Sequence, residues 1–295
     1  MYFVIGVTSI VGNLITIIVI LKFKLYKHSQ YIYKFSIGVS DFLLGFFIIY
    51  YLFQHIRFIF LRFHTDQLLN LNFERTIYNN VFSEYTYFSN NSILLKIFSF
   101  PSYSCIHVSS LTLPFSAYDR YKSIAYPFLY KRTNNVKKAV YFSVFVWLLE
   151  NITTVIWKLL HDKYDSDLIK LERLSILIFY CFPFVLMWIF TLLSIFSLRK
   201  SYKSSKKLNR SYFKRRNTEL RLSILFFAMV VAYTLSTSMY ICIYIHGGIL
   251  GNVFNINLSY ISFTLLLTNS TWNFILYNLM NKKFRTYVKL LFVRK

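Results

Sequence analysis

Acidic residues are scarce in this chain of 295 residues, which contains 11 Asp and Glu against 34 Lys and Arg. Charged residues make up only 15% of the sequence, whereas soluble domains carry about 25%. Apolar residues make up 56%. A composition so poor in charge excludes an ordinary soluble domain and indicates a chain that lies in a lipid bilayer.

Motifs of catalytic and metal sites are missing as well. The sequence has no HExxH, no phosphate-binding glycine loop and no cysteine spacing suited to a metal. Cys105, Cys181 and Cys242 fall inside apolar runs, where cysteine packs as a small apolar residue. We therefore expect no enzyme, no cofactor and no disulfide between loops. The absence of an internal repeat also disfavours a small transporter.

Seven apolar runs are long enough to cross a bilayer, which needs roughly 20 residues per helix. The first run lacks the basic segment of a signal peptide, so we expect it to be a span. The sequence predicts an all-α fold, a single seven-transmembrane helix bundle over 1–295. The expected spans are 2–21, 32–53, 93–118, 140–159, 174–198, 222–245 and 254–279.

Basic residues concentrate on one side of these spans. They follow the first, third, fifth and seventh runs, and Lys34 counts with this group. Because cytoplasmic loops are enriched in Lys and Arg, the pattern predicts a cell-membrane protein with its N-terminus outside and its C-terminus inside. Topology already accounts for the basic stretch 203–216, so no nucleic-acid partner is expected.

Polar side chains occur at membrane depth in four of the runs. Such groups are costly in hydrocarbon unless they face the bundle interior and find partners. Asn269 and Asn273 are one helical turn apart and share a face. We expect one cluster, which either holds helices together at about 1 kcal/mol per bond or acts as a switch. Its predicted members are Asn13, Asp41, Ser109, Asn269, Ser270 and Asn273.

Several motifs lie at matching depths in the runs. They are Gly12-Asn13, the run from Ser36 to Asp41, Asp119-Arg120-Tyr121, Trp147, Pro183 and the run from Asn269 to Tyr277. Through them the sequence resembles a rhodopsin-like G-protein-coupled receptor over all seven spans. The resemblance implies a heterotrimeric G-protein partner at the inner face and a short amphipathic helix in 280–295.

The resemblance also implies roles for individual residues. Asp119 would hold Arg120 at rest, and Arg120 would meet the G-protein on activation, within the signature that Tyr121 completes. Glu219 is either a second partner of Arg120 or an acid favoured by a helix N-terminus. The activation switch would comprise the polar cluster and Tyr277, with a sodium ion at Asp41 and Ser109.

Departures from the family pattern mark a divergent member. Phe274 stands where the seventh-helix motif has proline, and Leu95 stands where the outer disulfide has its first cysteine. The sixth span lacks a Trp-x-Pro pair. With the short N-terminus, these losses resemble nematode chemosensory receptors. The alternatives are a neuropeptide receptor of the same superfamily and a seven-helix ligand-gated channel, whose N-terminus would lie inside.

Two further differences from the family pattern limit the class of ligand that the sequence predicts. Ser102 stands where amine receptors have aspartate, and Leu267 stands where visual pigments have the retinal lysine. The resemblance therefore favours a small, largely neutral ligand. The expected pocket residues are Ser102, Tyr103, Ile106 and Phe263, with His107 as either a pocket or a packing residue.

Two triplets match the acceptor pattern for N-glycosylation on the expected outer side. They begin at Asn90 and Asn257. We expect carbohydrate there if the outer side faces the secretory lumen.

Overall fold

In a computed structural model of the chain, the described residues are 1–69, 93–133, 135–161, 177–205, 223–224, 226–243, 256–280 and 282–292. Within these ranges all regular structure is helical, and no strand occurs. The fold is all-α, as the sequence predicts.

Seven long helices correspond in order to the seven apolar runs. The first to fifth helices are Tyr2–Lys22, Ser29–Leu69, Ile93–Ala125, Asn135–His161 and Phe182–Ser205. The sixth helix is Phe226–Ile243. The seventh helix is Ile256–Met280. Among the described residues, the shorter helical segments are Leu25–Lys27, the linking helix, Pro127–Arg132, Leu177–Cys181, which precedes the fifth helix, and the C-terminal helix, Lys282–Phe292.

Length and composition suit five of the described helices to crossing a membrane. They are the first, second, fourth, fifth and sixth. The first helix has 21 residues and is therefore about 31 Å long, close to the thickness of a hydrocarbon core. The third and seventh helices are long enough but more polar, because they carry the polar cluster and the Asp119-Arg120 pair.

The second helix is longer than the predicted span. It runs from Ser29 to Leu69, whereas the hydropathy pattern ends near Phe53. Residues 54–69 contain no glycine or proline to stop the helix. The helix therefore continues into the sequence expected to form a loop.

Three apolar clusters lie inside the bundle. The first joins five of the long helices and the short segment before the fifth helix, through Ile5, Leu44, Ile106, Phe179, Tyr240 and Leu266. The second includes Ile37, Leu113, Met187, Val230 and Tyr233. The third contains Val19, Ile20, Leu25 and Phe284. Phe284 is fully buried and attaches the C-terminal helix to the first helix. We call the end of the bundle that carries the C-terminal helix and the linking helix the basic end.

The first and seventh helices approach closely at Gly12. A Cβ atom at Gly12 would lie 2.6 Å from Cγ and Cδ1 of Phe274 and 3.0 Å from its Cβ. Phe274, which stands where the resemblance expects proline, therefore packs directly against Gly12. Small residues at such positions let membrane helices pack at short distance.

Gly12→Ala should consequently destabilise the protein by about 1–3 kcal/mol, the usual cost of overpacking a filled interior. Measured as an apparent melting temperature in detergent, the loss should be relieved by Phe274→Ala in the same chain. Gly38→Ala is the matched control, because its added Cβ would meet only Ile17 at 3.6 Å and Thr16 at 4.0 Å. Equal melting of the Gly12 and Gly38 variants would contradict the close approach.

Candidate functional site

Asp41 lies at the centre of a polar cluster between the second, third and seventh helices. Its side chain is only 1% exposed. Oδ1 accepts a hydrogen bond from Ser109 at 2.8 Å, and Oδ2 accepts one from Nδ2 of Asn273 at 2.9 Å. Ser40 Oγ lies 2.7 Å from Ser109 Oγ. Each carboxylate oxygen thus has a donor from a different helix.

Asn13 connects the first helix to the same cluster. Its Nδ2 donates to the backbone carbonyls of Ser9 at 2.9 Å and Ser270 at 3.0 Å. Ser9 in turn donates from Oγ to the carbonyl of Asp41 at 2.7 Å. Asn269 is buried in the seventh helix. The structure therefore brings together four helices through side chains that the sequence placed at similar depth.

Asp119 is held at the basic end by two hydroxyl groups. Its Oδ2 accepts hydrogen bonds from Ser29 at 2.9 Å and from Tyr130 at 2.8 Å. Ser29 begins the second helix and Tyr130 lies in the linking helix. Burial and the neighbouring carboxylate of Asp119 raise the pKa of Tyr130 above its ordinary value. The phenol therefore keeps its proton and remains a donor.

We call Asp119 with its two donors, Ser29 and Tyr130, the lock. Arg120 follows Asp119 in the third helix and is 5% exposed. Its Nη1 donates to Oε1 of Gln30 at 3.5 Å. The guanidinium lines a cavity that also includes Lys34, Asn13 and Asn273. The lining of this cavity thus includes residues of both the basic end and the polar cluster. Tyr121 is partly exposed at the surface of the basic end.

Tryptophan and tyrosine side chains form further hydrogen bonds between helices of the bundle. Trp147 donates from Nε1 to Ser36 Oγ at 3.1 Å. In the sixth helix, Thr234 accepts from Trp188 Nε1 at 3.0 Å, and Tyr233 donates to Ser110 at 3.0 Å. Hydroxyl groups thus make contacts in the sixth helix where the family has its tryptophan and proline.

Three of the four expected ligand-binding residues lie in the bundle interior, and the fourth does not. Ile106 belongs to the first apolar cluster, and Phe263 packs against it. Ser102 is buried and lies 3.2 Å from the hydroxyl of Tyr51. Tyr103, in contrast, is 44% exposed. Ile106, Phe263 and Ser102 therefore lie in the bundle interior, whereas Tyr103 is exposed.

Glu150 pairs with the partly buried His107, a contact that the sequence analysis did not identify. Glu150 is 0% exposed in the fourth helix, and its Oε2 lies 3.1 Å from Nδ1 of His107. The imidazole stacks on Phe179 with centroids 4.6 Å apart. Glu150 Oε1 is buried and has no hydrogen-bond partner in the part of the chain that the structure describes. An acid within a predicted span was the available signal, because such a group requires a partner.

The cysteines are all free thiols. Cys105 is buried, Cys181 is partly buried and Cys242 is exposed. Within the described ranges, no group of three or more His, Cys, Asp or Glu side chains could hold a metal ion.

Some predicted site residues lie outside the described part of the chain. Glu219 and Asn90 belong to ranges that are not described. Asn257 and Tyr277 lie in the seventh helix, but their side chains are outside the described set.

The arrangement of helices and polar side chains agrees with a comparison to known families. Residues 12–277 match the family model described as 7 transmembrane receptor (rhodopsin family). The chain belongs to this family. The matched range contains the polar cluster, the Asp119-Arg120 pair and nearly all of the seventh helix. No curated protein matches the chain.

Membership places the receptor in a bilayer as a multi-pass protein and implies coupling to a G-protein. Within that frame, Asn13 and Asn273 of the polar cluster line one cavity together with Lys34 and Arg120.

Proposed function

We propose that the receptor activates a heterotrimeric G-protein from its basic end, with the N-terminus outside and the C-terminus inside, and that residues 1–295 form one seven-span domain. The observation that supports this most directly is the pair of donors on Asp119. Ser29 and Tyr130 fix the carboxylate next to Arg120. This arrangement is the resting state, in which the linking helix is attached to the second and third helices.

Activation would shift the receptor between two packings. The polar cluster joins the first, second, third and seventh helices at Asp41, so a rotation of any one of them breaks bonds at the centre. A ligand that favours the broken arrangement shifts the population toward it. Glu219, Tyr121 and Tyr277 belong to this proposal as residues of the coupling face and the switch.

The ligand is proposed to be a small, largely neutral molecule held between the helices. Ser102, Ile106 and Phe263 face an aromatic and aliphatic interior with one hydroxyl donor. A chemosensory role suits this chemistry. A neuropeptide receptor is the second candidate, favoured by the aromatic sequence between the second and third spans, which includes Phe73, Tyr78 and Tyr85. Asn90 and Asn257 are proposed glycosylation sites.

The proposed coupling is tested by guanine-nucleotide exchange on a panel of G-proteins in membranes that carry the receptor. Tyr130→Phe removes one charge-assisted hydrogen bond to Asp119, worth about 1.5–3 kcal/mol. Because the lock favours the resting state, basal exchange should rise by about threefold or more. Exchange by both wild type and variant at the level of empty membranes, with surface expression verified, would contradict G-protein coupling.

A further inference from the structure

The resemblance assigns a sodium ion to Asp41 and Ser109, but the structure places a lysine of the chain itself in contact with Asn273, a hydrogen-bond partner of Asp41. Lys34 lies in the second helix, not in the loop that precedes it. It is seven residues before Asp41, which puts both residues on the same helix face about two turns apart. Lys34 is partly buried and lines the interior cavity together with Asn273.

The ammonium reaches the polar cluster through Asn273. Nζ of Lys34 donates to the backbone carbonyl of Asn273 at 3.5 Å. The side chain of that same residue donates to Oδ2 of Asp41 at 2.9 Å. An electrostatic attraction also acts between Lys34 and Asp41. Asn273 thus forms two hydrogen bonds with the second helix, one with Asp41 and one with Lys34.

Both carboxylate oxygens of Asp41 accept a hydrogen bond. Ser109 donates to Oδ1 and Asn273 donates to Oδ2. These bonds leave other lone pairs of the carboxylate available, so they do not by themselves exclude an ion. A sodium ion bound there would, however, bring a second positive charge close to an ammonium inside the membrane, where like charges repel strongly. With Lys34 present, the site therefore does not suit a diffusible cation.

We propose that the ammonium of Lys34 is the cation of this site and takes the place of a diffusible monovalent ion. Arg120 lines the same cavity, but its described contact is with Gln30 toward the basic end. Lys34 is the cation that contacts Asn273 and so reaches Asp41. The carboxylate and hydroxyl oxygens of Asp41, Ser109 and Ser40 would accept a small monovalent cation once the ammonium is removed. The proposal concerns the same switch as the proposed function but does not depend on coupling to a G-protein.

The test is the apparent melting temperature of the purified full-length receptor in detergent, in sodium chloride and in potassium chloride at equal ionic strength. Wild type should melt at the same temperature in both salts. Lys34→Met should acquire a sodium-dependent rise of about 2 °C or more, because a ligand that binds only the folded state stabilises it. Lys34→Met with Asp41→Asn should lose that rise, and Lys34→Arg should behave as wild type.

Lys27→Met is the matched control, since it removes an exposed lysine outside the cavity and should leave both salts equivalent. If Lys34→Met does not fold, Lys34→Gln keeps a polar side chain and carries the same test. A sodium-specific rise in wild type would overturn the proposal, as would its absence in both uncharged variants. No G-protein is present, so these outcomes are independent of whether the receptor couples.

Discussion

Arg120→Ala is expected to reduce guanine-nucleotide exchange to the level of empty membranes. Arg120 is the buried cation next to Asp119 and lines the cavity that leads to the polar cluster. An arginine that meets the G-protein on activation contributes charge-assisted hydrogen bonds of about 1.5–3 kcal/mol, so its loss should cost about 10–100-fold in exchange. The measurement is initial exchange rate per receptor at the cell surface.

Arg132→Ala is the matched control for this variant. Arg132 lies in the linking helix and is exposed, so its removal deletes the same charge from the basic end without opening the interior. Its exchange should stay within about twofold of wild type, in line with the small effects of exposed charges. Equal losses in the two variants would show that net charge, and not the position of Arg120, governs coupling.

His107→Phe is expected to destabilise the receptor by about 1–3 kcal/mol, the cost of leaving a buried polar group without its hydrogen-bond partner. Phenylalanine keeps an aromatic ring against Phe179 and deletes both ring nitrogens, including the Nδ1 that contacts Glu150. Among the described residues, Oε1 of Glu150 already has no hydrogen-bond partner, so the variant leaves both carboxyl oxygens unsatisfied. The measurement is the apparent melting temperature in detergent.

A second substitution separates this cause from a packing defect. In the double variant His107→Phe and Glu150→Leu, both polar partners are replaced by apolar groups, which is often nearly neutral. The double variant should therefore recover most of the stability. A double variant as unstable as His107→Phe would indicate that the ring, and not the pairing with Glu150, stabilises this part of the bundle.

The polar cluster shows how much of the site could be predicted from sequence. Asn13, Asp41, Ser109 and Asn273 each interrupt an apolar run at similar depth, and the cost of isolated polar groups in hydrocarbon predicts that they meet. The structure joins them through Asp41. The donors Ser9 and Ser40 were not predicted, because serine is common in membrane helices and carries no charge to mark it.

Lys34 and Glu150 show what hydropathy does not reveal. Lys34 follows several lysines near the start of a span, so its charge was grouped with the loop. Its direction depends on the rotation of the second helix, which an apolar run does not specify. Asn151, Thr153 and Thr154 follow Glu150 in the fourth helix, so the local pattern did not single out this acid or indicate that it faces His107. In both cases the partner lies on another helix, at a distance in sequence that local patterns cannot define.

The replacement of the family proline by Phe274 has a similar explanation. The sequence shows that the kink-forming residue is missing, but the compensating contact with Gly12 depends on how the first and seventh helices pack. Likewise, the longer second helix follows from the absence of helix-breaking residues in 54–69, which a hydropathy window does not weigh.

The measurement that tests the central claim most directly is basal nucleotide exchange by Tyr130→Phe with and without Arg120→Ala, in matched membranes. A coupling face controlled by the lock on Asp119 predicts raised exchange in the single variant and exchange at the level of empty membranes in the double variant. Raised exchange that persists without Arg120 would contradict the account, because activity would then not pass through the residue that the lock controls.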